Sequence, residues 1–289
     1  MKKYYSFCEC KICISAPLFC HENPEWKLFE IEECIPDISV ICDSCKTLPE
    51  PVGFFCGRAG DAYVYSDGSE SYRHLKMGTE NGAVSVFDYS KPCESKTLIC
   101  ETNYHVMADS RFFWNSLSMQ QIMLARDVLF FHASHIGHKG KGILFSAPCG
   151  TGKSTQAALW EKYRYAEVIN GDKAGVAFRR GSFYSCGIPI CGTSGICKNK
   201  TFPLGAIVLL GQAKQNTVTR LKGVEAVTGL LENIYLDFLV PEERIMCIDL
   251  LEKLALQVPV FRLDCTPDEN AVAALEKALM NGGVIDESI

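Results

Sequence analysis

Along the first stretch of the chain, apolar and aromatic positions come in short runs broken by polar turns. Tyr4–Ile14, Trp26–Ile31, Ala62–Tyr65 and Val84–Phe87 have the β-branched and aromatic content of strands. Asp67-Gly68, Asn81-Gly82 and Ser90-Lys91-Pro92 carry the residues that tolerate turn backbones. Residues 1–115 are therefore expected to form a mostly-β domain that either faces and recognises a substrate or serves as a packing domain. No catalytic constellation stands out in it.

From about Ser116 the pattern changes. Ser118 to Gln121 has the form of a helix start, with Ser118 as N-cap and Gln121 at the capping-box position. Met119, Ile122 and Met123 follow at helical spacing. Leu129–Ile136 is a β-rich apolar run, Gly137–Gly142 a tight polar turn, and Gly142–Phe145 a second apolar run. Together they predict a β-hairpin. Ser154–Arg164 is rich in helix formers. Glu167–Asn170 predicts a strand, Phe178–Phe183 a hairpin turn, and Leu204–Leu210 and Val258–Leu263 buried strands. Asn270–Met280 predicts an amphipathic helix ended by Gly282-Gly283.

Composition narrows the classes. The chain has 289 residues, 47% hydrophobic and 22% charged, enough for a substantial core and too apolar for disorder. The net charge of −5 argues against a sequence-independent grip on nucleic acid. No apolar run reaches membrane-spanning length, and Cys8-Glu9-Cys10-Lys11 interrupts any signal-peptide core. The expectation is a cytoplasmic protein with no membrane partner. Sixteen cysteines leave three readings open: a disulfide framework, metal ligation by Cys8, Cys10 and Cys13 or by Cys42 and Cys45, and buried thiols acting as small hydrophobes in a reducing compartment.

One segment carries chemistry. The hairpin feeds into Ala147-Pro148-Cys149-Gly150-Thr151-Gly152-Lys153-Ser154, the strand–loop–helix setting of a P-loop, with Ala in place of the first glycine. Small residues let backbone N–H groups curl around phosphate oxygens, and the helix N-terminus adds about half a positive charge there. Cys149, Gly150, Thr151, Gly152, Lys153, Ser154 and Thr155 are the candidate nucleotide-binding residues. Lys153 would reach the β- and γ-phosphates, and the Ser154 hydroxyl would face Mg²⁺. The alternative is a glycine-rich turn before a helix, which leaves Lys153 unexplained.

Two further candidates follow. A hairpin closed tightly about Gly137–Lys141 places His132 across from Ala147, at the mouth of the loop. There it could orient or deprotonate an acceptor hydroxyl, or serve as a hydrogen-bonded core histidine. Asp172 closes a strand at the position where an acid holds Mg²⁺ or takes a proton; turns also favour acids for their own sake. Cys186–Gly195 is glycine-rich and polar, a substrate- or phosphate-contacting loop or an ordinary connection.

Phe131-His132-Ala133-Ser134, Gly142 to Thr155 and Asn170-Gly171-Asp172-Lys173, in that order and spacing, resemble the HPr kinase/phosphorylase-like family. The resemblance is closest to the small HPr-kinase-like proteins often found beside peptide-modification genes, and it covers roughly residues 116–279. It implies an α/β (α+β) fold. A mixed-sheet P-loop kinase core, shared with phosphoenolpyruvate carboxykinase, would span 116–289 behind the smaller mostly-β domain of 1–115. It implies phosphoryl transfer from a nucleotide to a hydroxyl, usually a serine. Lys153 and the loop amides would bind β-phosphate, and Ser154 and Asp172 would hold Mg²⁺. His132, Lys153 and Asp172 would be the catalytic set. Two departures stand out: Pro148 replaces an acid before the Ser-Gly of HPr kinase, and Gly171 replaces the first of two adjacent acids. Both point away from a reversible phosphorylase.

The expectation is an ATP-dependent (or related-nucleotide) kinase using Mg²⁺, acting on a hydroxyl of a peptide, protein or small molecule. The rivals are a nucleotide-binding sensor or scaffold without phosphotransfer and, less favoured, a carboxykinase-type lyase, whose relatives are much longer.

Overall fold

The computed structural model describes residues 1–17, 23–77 and 80–286, without the side chains of residues 77, 80, 81, 104 and 105. They fall into two compact units, Met1–Asp127 with Leu236–Cys247 and Val128–Tyr235 with Ile248–Ile289. Each is built on a mixed sheet, so the fold is mixed α/β of the α+β kind.

In the first unit the elements are β1 (Lys2–Phe7), β2 (Cys10–Ser15), α1 (Pro24–Lys27), β3 (Glu30–Ile31), β4 (Ile38–Cys45), β5 (Phe54–Ala59), β6 (Ala62–Ser66), β7 (Glu70–Met77), β8 (Glu80–Asp88), β9 (Glu94–Cys100), α2 (Ser110–Ser116) and α3 (Met119–Leu124). The strands lie in the order β3-β1-β2-β4-β9-β8-β7-β6-β5. Strand β4 runs parallel to both β2 and β9; the other pairs are antiparallel.

Several sequence expectations change here. Tyr4–Ile14 is two strands, reversed by Cys8 and Glu9, both at positive φ (53° and 55°). Neither is a residue type that announces such a turn. Trp26 sits in a helix, because Pro24 is placed at its start, where a missing N–H costs nothing. Its indole packs edge-on against Tyr5 (5.1 Å) and Phe113 (5.0 Å). Asn81-Gly82 lies inside β8, not in a turn. Ser118 occupies the N-cap position of α3 but is left-handed (φ 52°) and makes no capping bond. Its hydroxyl meets that of Ser85. Gln121 turns its amide oxygen to Arg73 (3.1 Å to Nη2), in the orientation that satisfies both its polar groups.

The second unit holds β10 (Val128–His138), β11 (Lys141–Ser146), α4 (Lys153–Arg164), β12 (Glu167–Asn170), β13 (Lys173–Arg179), β14 (Ser182–Cys186), β15 (Thr201–Gln212), β16 (Thr217–Leu221), α5 (Gly223–Leu231), the later part of α6 (Pro241–Gln257), β17 (Val260–Cys265) and α7 (Glu269–Asn281). The sheet order is β11-β10-β13-β14-β15-β17-β16, and β11 also pairs with β15. The pairings β10–β13–β14–β15–β11 therefore return to their start. Strand β10 is buried along nearly its whole length, which fits a run that is mostly apolar even though His132, Ser134 and His135 interrupt it.

The β10–β11 hairpin has the register expected: Ala133 pairs with Ser146 and His135 with Leu144, closed by Lys139 and Gly140 at positive φ. The hairpin at Arg180-Gly181 closes the same way. Beneath the sheet, Phe145, Trp160, Val208, Leu263, Val272, Leu275 and Leu279 form one buried cluster. It clamps α4 and α7 and so fixes the direction in which α4 leaves the loop.

Candidate functional site

The loop between β11 and α4 is short, and its crest, Pro148 to Gly150, is exposed. Gly150 and Gly152 take φ of +80° and +118°, conformations that favour glycine. A Cβ on either would meet nothing within 4 Å, so backbone conformation, not crowding, is what selects glycine at both. Lys153 opens α4, and its side chain is 7% exposed. Its ammonium donates to the Ala147 carbonyl at 2.8 Å and the Pro148 carbonyl at 3.3 Å, folding back over its own loop. Burial lowers the Lys153 pKa from the usual lysine value, while the Asp172 carboxylate pulls it up. A poorly solvated ammonium at a helix tip is a strong anion ligand.

Ser154 donates from Oγ to the Gly171 carbonyl at 3.3 Å, which ties the start of α4 to the β12–β13 turn. Ser134 donates to the same carbonyl at 2.8 Å. Next to it, Asp172 Oδ1 lies 2.9 Å from His132 Nε2 and Asp172 Oδ2 accepts from Lys173 Nζ at 2.8 Å. The bond to His132, then Lys173, hold the Asp172 carboxyl well below the usual carboxylate range against the opposing effect of its burial. Lys173 also lies 4.9 Å over the Tyr235 ring. His132 is fixed at both backbone groups: its N–H donates to the Asn233 carbonyl (3.0 Å) and its carbonyl accepts from Ser146 Oγ (2.8 Å).

The structure thus brings His132, Ser154 and Asp172 to one place, with Lys153 beside them at the start of α4. Cys149 and Thr155 are exposed, and Thr151 bonds through its N–H to the Pro148 carbonyl (3.4 Å). Among the described residues, no group of three or more His, Cys, Asp or Glu is placed to hold a metal. A hard cation that keeps waters and shares phosphate oxygens needs only one or two protein oxygens. The Ser154 hydroxyl and the ionised Asp172 fit that modest requirement.

Sequence reasoning passed over three residues. Asn170, fully buried, is the hub: its Oδ1 accepts from the N–H groups of Asp172 and Lys173 (3.0 Å each), and its Nδ2 donates to the Ile190 carbonyl (2.8 Å). It holds the turn and the Cys186–Gly195 loop together. Lys173 is the second, and its place beside Asp172 in sequence was the available signal. Ser194 is the third. A Cβ on Gly171 would lie 2.1 Å from its Oγ, and one on Gly192 would lie 2.5 Å from Asp172 Cβ. The loop therefore packs tightly on the Gly171–Asp172 turn.

Beside the β11–α4 loop opens a cleft of about 820 Å³, walled by Ser146–Pro148 and Thr151 on one side and by β15, β16, α5, Glu232, Asn233 and Arg262 of β17 on the other.

No family model matches the chain, and no curated protein matches it. One solved structure it resembles in part is the "Hpr(Ser) kinase/phosphatase from Coxiella burnetii", at TM-score 0.32 and 11% identity over 54% of this chain and 90% of that one. At that score no residue role is carried over from it. No described helix is long and apolar enough to cross a membrane.

Proposed function

We propose that the chain is a nucleotide-dependent kinase that moves a terminal phosphoryl group to a hydroxyl acceptor on a peptide, protein or small molecule. One observation carries this reading. The hairpin that ends in the P-loop also carries His132, and Asp172 bonds that histidine while its neighbour Gly171 bonds Ser154.

On this reading the amides of Gly150–Ser154 and the Lys153 ammonium hold the phosphates of ATP or a related nucleotide. Lys153 exchanges its two carbonyl contacts for phosphate oxygens. The acceptor oxygen forms a bond to the terminal phosphorus as the bond to the leaving nucleotide oxygen breaks. The acceptor proton passes to the His132–Asp172 pair. The bond to His132, then Lys173, keeps Asp172 ionised beforehand. Mg²⁺, held by Ser154 and Asp172, would supply charge neutralisation across the phosphates. The remaining work is positioning, done by the turn that Asn170 pins.

Lys153→Ala tests it. Transfer of label from γ-labelled ATP should fall by about 10²–10³-fold, as expected for loss of transition-state charge stabilisation, while the circular dichroism melt stays unchanged. Wild-type turnover in that variant would sink the mechanism. A second reading, a nucleotide sensor that transfers nothing, is favoured by Asp172 standing as a lone acid with both oxygens engaged. Bound nucleotide with no labelled product from a pool of peptides and metabolites would select it.

A further inference from the structure

We propose that Ser194 is a phosphorylation site that the chain modifies itself, by moving the terminal phosphoryl group of its bound nucleotide to the Ser194 hydroxyl. The inference rests on the reading above and names one acceptor for it, a serine of the Cys186–Gly195 loop.

Position is the first argument. The loop is tied to the turn that carries Asp172 on both sides of Ser194. The Ile190 carbonyl accepts from Asn170 Nδ2 (2.8 Å), the Ile196 carbonyl accepts from the Gly171 N–H (3.4 Å), and Asn170 pairs with Cys197. Between these ties the chain turns back at residues 192–195, closed by the Gly195 N–H on the Gly192 carbonyl (3.1 Å) with Gly195 at a φ of +66°. Gly192 lies so close over Asp172 that a Cβ on it would meet the carboxyl carbon at 2.8 Å and Oδ2 at 3.2 Å. Glycine at 192 is what lets this turn, and Ser194 with it, come down on the acid.

The second argument is the state of the hydroxyls. Three serines reach Gly171. Ser134 and Ser154 both donate to its carbonyl, so their protons are engaged. Ser134 is also fully buried. The Ser194 hydroxyl stands against the Cα side of Gly171, accepts from the Ile196 N–H (3.3 Å) and donates to no group among the described residues. Ser194 is exposed. A hydroxyl already held near the phosphate loop, with its proton uncommitted, is what in-line transfer asks of an acceptor.

In the step itself, the Ser194 Oγ–phosphorus bond forms as the bond from phosphorus to the leaving nucleotide oxygen breaks. The Ser194 proton passes to the His132–Asp172 pair, and the nucleotide departs one phosphate shorter. The product sets a phosphoserine beside the ionised Asp172, and the two repel. The loop is therefore pushed away from the turn after a single transfer.

The test uses the full chain, treated with a phosphatase that is then removed, incubated with Mg²⁺ and γ-labelled ATP and mapped by tandem mass spectrometry. One phosphoryl group should appear on Ser194. Its rate constant should not change with protein concentration, because donor site and acceptor belong to one chain. Ser194→Ala should carry none while binding ATP with unchanged affinity, and Ser194→Thr, which keeps a hydroxyl, should carry it. Lys153→Ala and Asp172→Asn should each slow the labelling by about 10²-fold or more. Label on Thr193 or another residue in place of Ser194, or a rate constant that rises with protein concentration, overturns the proposal. Transfer to an added peptide or metabolite with Ser194 unlabelled also overturns it and leaves the kinase reading standing. Bound ATP with no label on the chain or on any acceptor overturns both.

Discussion

Arg73, Asp237 and Glu243 in the first unit and His132, Asp172 and Lys173 in the second are both clusters of opposite charge, finished in opposite ways. Arg73 is 5% exposed and Glu243 fully buried; their ion pair is 2.6 Å, and Asp237 and the Tyr89 hydroxyl complete it. Burial opposes the Arg73 charge, yet Glu243 and Asp237 outweigh it and raise its pKa. Burial likewise lifts the Glu243 carboxyl, against the pull of Arg73. Such a cluster offers nothing to a ligand; its effect is to lock residues 236–247 to the strands of their unit. The second cluster keeps His132 and Asp172 partly in solvent, 36% and 26% exposed. Paired opposite charges become a brace when water is shut out and a candidate site when one side stays open.

That contrast can be broken at several points. The largest effect is expected at Asp172→Asn, which should lower phosphotransfer by about 10²–10⁴-fold, the range for a lost proton-transfer partner, with the melting temperature nearly unchanged. A large loss of stability instead would make this cluster a brace like the other. Next, Arg73→Met leaves Glu243 buried without its cation and should cost about 3–5 kcal/mol in urea unfolding; nucleotide affinity per folded molecule should hold.

The smallest effect concerns His135, fully buried, with neither ring nitrogen partnered among the described residues. Burial takes its pKa down to about 3, against about 6.5 in an unfolded chain. Between those values the unfolded state binds the extra proton, so the stability is whole above about pH 6.5 and drains as pH falls towards 3. His135→Leu should remove up to about 1.4 kcal/mol per pH unit of that slope. Unfolding measured at pH 7, 5.5 and 4.5 reads it directly, and parallel curves for the two proteins would refute it.

Much of the site was legible because it depends on local signals. Glycines at two positive-φ positions, a lysine at the helix start and a tight hairpin fix the loop, and the hairpin register followed from counting. What stayed hidden depends on distant partners. Cys8 and Glu9 turn the chain without glycine, Trp26 is drawn into a helix beside an aromatic cluster, and Ser118 prefers Ser85 to capping. Nothing in the pattern of 236–247 announces that it joins the first unit; Arg73, far back in sequence, decides that. Asn170 looks like a turn residue until the loop it bonds is in place.

The contact between Gly171 and Ser194 constrains how this chain could change over time. A carboxylate at 171 has no room while the Ser194 hydroxyl is where it is. An acid at 171 needs position 194 to give way, since a Cβ there would lie 2.1 Å from Ser194 Oγ and 2.7 Å from Ser194 Cβ. Order of substitution is thereby written into the packing, and a Gly171→Asp, Ser194→Gly double variant is the shortest route across.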